Sequence, residues 1–146
     1  MRAVVQRVKS ASVSVNGVTV SSIGSGMLVL LGAAFDDSEQ DVCWLVDKVA
    51  GLRIFSDSSG KMNLDVSQID GSILVVSQFT LYGDCRKGKR PSYSSAATAE
   101  PARKLYSLFL STMGKKGIPV KNGVFGEMMQ VELVNDGPVT LIIESP

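Results

Sequence analysis

The sequence predicts an α/β fold: one domain over residues 1–146, in which a mixed, strongly curved, barrel-like β-sheet carries two main helices packed outside it. Three observations lead there. Short apolar runs rich in β-branched residues recur along the chain, bounded by turn residues, as strands require. Two other stretches repeat their apolar residues with a helical period. Each of those stretches lies in a long connection between apolar runs, where a crossover packs a helix onto a sheet.

The elements follow in order. "RAVVQRVKSASVSVNGVTVSSI" reads as two strands joined at Asn16-Gly17, residues that take positive φ cheaply. Val13 and Val15 alternate with polar residues before the turn, and Val18 and Val20 after it. "GMLVLLGAA" is a buried strand, because a run apolar on both faces needs cover on both sides. A helix is expected from about Glu39 to Gly51, with Ser38 as its N-cap and Val42, Leu45, Val46 and Val49 on one face. The polar turn "SDSSGKMNLDV" then leads into "GSILVV", a strand ending at Ser77. After a basic loop, a second helix opens near Thr98, where Pro101 suits the first turn. Its buried face is Leu105, Leu108, Phe109 and Thr112, and Gly114 or Gly117 ends it. "MMQVELV" is a strand with Met129, Val131 and Leu133 on one side. "NDG" breaks that run before a last strand, Val139 to Ile143.

Composition removes whole classes of function. With 45% hydrophobic and 20% charged residues the chain is globular rather than disordered. "MRAVVQRVKSASVSV" has no apolar core of signal length, and the longest apolar stretch, "MLVLLGAAF", is far too short to span a bilayer. A cytoplasmic location and no membrane partner are therefore expected. Cys43 and Cys85 form no CxxC pair, so neither a disulfide framework nor a metal site is expected, and no cofactor. Histidine is absent. That excludes Ser-His-Asp and Cys-His catalysis, HExxH metal centres and every imidazole base. What remains is hydroxyls, amides, lysines, carboxylates, or a group on the substrate itself.

Several short segments carry candidate chemistry. In "SQFTLYGD", Ser77-Gln78 closes a buried strand with polar groups, either as an ordinary strand exit or as the lip of an active site. "NDGPVT" is either a turn between strands or a wall, since Gly-Pro tolerates a cis bond that would aim the Gly137 and Pro138 carbonyls the same way. "CRKGKRPSY" sets Arg86, Lys87, Lys89 and Arg90 beside Tyr93. It is a solvated loop or a footprint for phosphates, since net charge is only +1 overall. Arg7 is a snorkelling surface residue or a planar donor that fixes nearby carbonyls. Phe125, between glycines, packs in the core or stacks on a base. Lys61 reads as an exposed lysine before a catalytic one.

"SQFTL" and "NDGPVT" together resemble the paired signatures of D-aminoacyl-tRNA deacylases. "MRAVVQRV", "GKMNL", "RKGKRPSY" and "VFGEMMQV" fit the same family in the same order, so the resemblance covers essentially the whole chain. Glu127 departs from it, standing where the family most often has a small residue. The resemblance implies a homodimeric hydrolase that cleaves D-amino acids, and glycine mischarged on tRNA-Ala, from tRNA, with active sites at the subunit interface. It puts Ser77, Gln78, Phe79 and Thr80 at the scissile ester. It puts Gly137-Pro138, in cis, in the partner subunit's site, where the pair excludes L-residues while Arg7 holds its carbonyl orientation. Phe125 falls to substrate binding, and Arg86, Lys87, Lys89 and Arg90 to tRNA. Such an ester is already activated, and the adjacent ribose 2′-OH can assist by proximity. Backbone N–H groups around Phe79 and Thr80 can stabilise the oxyanion. Thr80 as nucleophile ranks second, because no group is evidently placed to deprotonate it. Two other classes stay open: a nucleic-acid-binding module without chemistry, and an esterase for small acyl groups using Ser77 or Thr80 with a lysine.

Overall fold

The computed structural model describes residues 1–146. Its elements run β1 (Arg2–Val15), β2 (Val18–Ile23), β3 (Gly26–Gly32), α1 (Glu39–Ala50), β4 (Phe55–Ser56), β5 (Met62–Leu64), β6 (Ser72–Ser77), a 3-10 helix at Phe79–Tyr82, α2 (Ala99–Gly114), β7 (Val120–Asn122) and β8 (Gln130–Glu144). The long first strand organises the sheet. Its first half pairs antiparallel with β3, from Arg2 opposite Gly32 to Val8 opposite Gly26. Its second half pairs with β2 through a turn in which Asn16 and Gly17 both have positive φ, +50° and +77°. β8 runs antiparallel beside both halves, from Arg2 opposite Glu144 to Ser14 opposite Gln130. A strand shared in this way must bend, and the result is the curved, nearly closed mixed sheet.

The two helices occupy the crossovers. α1 lies between β3 and β6, which pair in parallel from Gly26 opposite Ser72 to Leu31 opposite Ser77. α2 lies between β6 and β7, also parallel. No helix is long and apolar enough to cross a membrane. Ser38 begins α1, and the Asp41 carboxylate accepts from both the Ser38 amide (2.8 Å) and its hydroxyl (2.7 Å). Those bonds, the Ser38 hydroxyl foremost, hold the Asp41 carboxyl down at about 2.

The sheet separates two cores. Ala3, Val5, Met27, Val29, Leu31, Ile73 and Val75 face the helices and pack with Val42, Leu45, Val46, Val49 and Phe109. Leu28, Leu74 and Val76 face the other way, into a cluster with Val8, Ala11, Val13 and Ile23 that Met129, Val131 and Leu133 cover. β3 and β6 are therefore buried on both faces, which is why their sequences are continuous apolar runs.

Three details differ from the sequence reading. The buried seam of α2 is Leu105, Tyr106, Phe109 and Met113, while Leu108 and Thr112 are only half-buried. A helix that lies flat against α1 and the sheet uses an i, i+4 row, and Met113 rather than Thr112 continues it. "NDG" does not end a strand either: β8 pairs with β1 on both sides of residues 136–139, which bulge from the ladder. β7 and the β4–β5 hairpin are two- and three-residue strands, too short to show a period.

Phe109 is 0% exposed at the centre of the helix-facing core. Phe109→Ala is expected to cost about 3–5 kcal/mol, lowering Tm by roughly 10 °C or more for a chain of this size. Ser107→Ala, on the exposed face of the same helix, should leave Tm within about 2 °C. Thermal denaturation followed by circular dichroism checks both.

Candidate active site

The site forms where β6 leaves the sheet. The Gln78 amide donates to Leu31 O at 2.8 Å, extending the β3–β6 ladder past the last strand residue. The chain then turns into the 3-10 helix, closed by Gly83 N–H on Thr80 O at 3.0 Å. Phe79 and Thr80 stand in its first turn, where backbone N–H groups have no intrahelical acceptor. Gly32 makes this close approach possible. A Cβ there would lie 2.9 Å from Gln78 O and 3.3 Å from the Tyr82 ring.

Beside this exit is a cavity of about 580 Å³. Ser77, Gln78 and Phe79 form its lip, Ala99, Ala102 and Tyr106 of α2 one wall, and Phe125 to Met129 another. Thirteen of its eighteen lining residues are hydrophobic and the only charged side chain is Glu127, so no lysine is available inside it. A lysine-assisted esterase at Ser77 would therefore have no lysine within the cavity. Lys61 lies exposed by the β4–β5 hairpin and does not line the cavity. Tyr106 donates to Val75 O at 2.9 Å, and burial pushes its phenol up to about 12. It is a fixed donor and a wall, not a base.

Phe125 packs at the edge of the core, as one of its two sequence readings has it. Its ring packs 5.6 Å from Tyr106 and also lines the cavity, with the Arg103 guanidinium 4.6 Å over it. Thr80 is exposed, lies off the cavity lining, and accepts a hydrogen bond from the Gln78 side-chain amide. That amide cannot take its proton, so the hydroxyl has no base beside it.

Gly137-Pro138 is a cis dipeptide within the bulge of β8. Both residues are exposed, and neither lines the chain's own cavity. The bulge is held from two sides. Arg7, its side chain 13% exposed, donates from Nε to Asp136 O at 2.7 Å and from Nη1 to Ile54 O. Asn135 accepts from Val139 N–H at 2.9 Å and donates to Val139 O at 3.1 Å, closing the bulge at its neck. The carbonyl that Arg7 takes is thus that of Asp136, one residue before the expected pair. Asn135 escaped the sequence reading, although its place at the head of "NDGPVT" was the available signal. Tyr106 escaped it too, although it follows Ala99 and Ala102 at helical spacing.

The basic loop is tied at its neck by reciprocal bonds between Asp84 and Ser92, 2.8 and 2.9 Å. Its cations are not equivalent. Arg86 forks onto the Asp84 carboxylate at 2.7–3.1 Å and holds that carboxyl down at about 2. Lys87, Lys89 and Arg90 are exposed and make no ion pair. The loop's uncompensated charge is theirs.

The apolar cavity holds no histidine, and backbone amides stand at its lip; the chain's relatives show which class of hydrolase carries it. The family model for D-Tyr-tRNA(Tyr) deacylase matches residues 4–144. A D-aminoacyl-tRNA deacylase of Desulfatibacillum aliphaticivorans is 59% identical over 145 residues, covering 99% of each chain. One of Syntrophobacter fumaroxidans is 57% identical, covering 99% of this chain and 97% of its own. Among solved structures, a c-Myc DNA unwinding element binding protein superposes with a TM-score of 0.95 at 44% identity, covering 100% of this chain and 99% of its own. The chain belongs to the D-aminoacyl-tRNA deacylase family.

Thr80→Ala is expected to keep kcat/KM for D-tyrosyl-tRNA within about tenfold, because removing a true nucleophile costs on the order of a millionfold. Single-turnover deacylation with the purified variant decides between the two.

Proposed function

We propose that this chain is a cytoplasmic, homodimeric proofreading enzyme. It hydrolyses the ester of D-aminoacyl-tRNA, and of glycyl-tRNA mischarged on tRNA-Ala, while sparing L-aminoacyl esters. The observation that carries this reading is the bulge at residues 136–139: backbone held rigidly by Arg7 and Asn135, turned to solvent and unused by its own chain's cavity. An unreactive wall needs rigidity more than a strong contact, since it discriminates by clash. The strand that carries it also exposes Val134 (51%) and Ile142 (71%), apolar residues suited to a second subunit.

In this reading the acyl ester lies against Ser77 to Phe79. The Phe79 and Thr80 amides donate to the carbonyl oxygen as it gains negative charge. The ribose 2′-OH of the terminal adenosine, next to the scissile bond, positions or activates the attacking water. A D-residue directs its side chain away from the partner's Gly137-Pro138, whereas an L-residue drives its Cβ into fixed carbonyl oxygens. Glycine, with no Cβ, passes. Lys87, Lys89 and Arg90 meet backbone phosphates, which position the tRNA without reading its sequence, and Arg86 joins them if it exchanges Asp84 for phosphate.

Deacylation of D-Tyr-, L-Tyr- and Gly-tRNA by the purified protein tests the reading. D-Tyr and Gly should be released, and L-Tyr at least about a hundredfold more slowly. Release of none would favour a binding module without chemistry. Gly137→Ala sharpens the test, since its Cβ would stand 2.6 Å from Val139 N and 2.8 Å from Val139 Cγ2, so the bulge must shift. The ratio of D to L rates should fall by about tenfold or more. An unchanged ratio would remove the wall.

A further inference from the structure

We propose that Phe79 and Tyr93 form a stacking platform for the unpaired nucleotide that precedes the terminal adenosine, a subsite between the ester cavity and the basic loop. The proposal rests on the tRNA reading above and extends it from the ester to the strand that carries it.

Two large rings stand exposed together at the lip of the site, Phe79 at 56% and Tyr93 at 39%. Their centroids are 5.1 Å apart with planes inclined by 66°, so one presents an edge to the other and further ring surface stays open to solvent. Phe79 also lines the cavity, so the pair begins where the cavity ends. Tyr93 directly follows Ser92, one half of the neck that ties the basic loop. The order along the surface is therefore cavity, Phe79, Tyr93, neck, and then Lys87, Lys89 and Arg90 without carboxylate partners. Tyr93 is also held in place. Its Cε1 would lie 3.1 Å from a Cβ on Gly83, and its carbonyl accepts from Ala96 N–H at 3.0 Å.

This is the physical arrangement that binds single-stranded nucleic acid: aromatic faces for bases beside cations for the backbone. Every base has a π-face, so such a platform tolerates sequence. The unpaired basic charge beyond the rings selects a polyanion over an apolar protein surface. Tyr93 thus belongs to substrate binding rather than to the chemistry, and its contribution appears only when the substrate has a nucleotide to place on it.

The test compares three substrates: D-tyrosyl-adenosine, D-tyrosyl-CpA and D-tyrosyl-tRNA. The wild-type KM should fall on going from the adenosine to the dinucleotide. Tyr93→Ala should abolish that fall and raise KM for the tRNA by roughly tenfold to a hundredfold. Its kcat/KM for D-tyrosyl-adenosine should stay within about twofold, which also shows that the variant folds, and Tyr93→Trp should restore the tRNA KM. An equal loss on all three substrates would overturn the proposal and make Tyr93 a mere support for Phe79. So would an unchanged tRNA KM, or an altered oligomeric state as the sole change. If wild type releases tyrosine from none of them, the deacylase reading fails instead. The platform is then judged by fluorescence anisotropy with an RNA ending in single-stranded CCA: weaker binding by Tyr93→Ala upholds it, and equal binding overturns it.

Discussion

Arg7 has four residues of β8 opposite it, 136 to 139, where a regular ladder would place one. Backbone expelled from a sheet in this way leaves polar groups that need new partners. Here the Asp136 carbonyl goes to Arg7, and both the amide and the carbonyl of Val139 go to the Asn135 side chain. Arg7 shares a face with Ala3 and Val5, so its stem sits at the border of the helix-packed core and its guanidinium also reaches Ile54 O beyond α1. One planar side chain therefore ties β1, the bulge and the connection after α1 together. Lysine, with a point charge on a flexible stem, has no comparable fork. A second register shift, between Val8 and Ser10, turns β1 so that Ala11 and Val13 face the same cluster as Val8.

The cavity depends on a different economy of parts. Its lip is the end of β6, its wall the first turns of α2, and the Gly32–Gln78 approach fixes the distance between β3 and the turn that presents Phe79 and Thr80. None of this supplies a strong base. In the proposed mechanism the protein contributes amides, shape and exclusion, and the proton chemistry belongs to the substrate. Backbone amides suit that role because they are held by the fold and need little reorganisation as charge develops.

How much was legible depended on whether a residue's partner was near in sequence or far. The Asn16-Gly17 turn and the Ser38 start of α1 rest on local conformation and capping, so the sequence alone located them. The double burial of β3 and β6 was legible because no other environment tolerates such continuous apolar runs. Thr112 lies at the edge of the buried face rather than on its seam because the face of α2 is chosen by α1 and the sheet, not by the helix itself. The bulge looked like a strand end because "NDG" has the same composition in both, and only pairing with β1 distinguishes them. Arg7's true acceptor and Arg86's carboxylate were invisible for related reasons: a charged side chain names a chemistry, while the fold selects its partner. The ordered motifs, by contrast, drew attention to Ser77-Gln78-Phe79-Thr80, of which the first three line the cavity and Thr80 does not; no local rule could have separated that lip from an ordinary strand exit.

The central claim is that hydrolysis proceeds without a protein nucleophile or base. The most direct measurement uses D-tyrosyl esters of tRNA whose terminal adenosine lacks the 2′-hydroxyl, with binding and single-turnover hydrolysis followed separately. The account predicts that binding is kept while hydrolysis falls to the uncatalysed rate. Hydrolysis of the 2′-deoxy substrate at the rate of the natural one would contradict it, and would return the proton chemistry to a group of the protein.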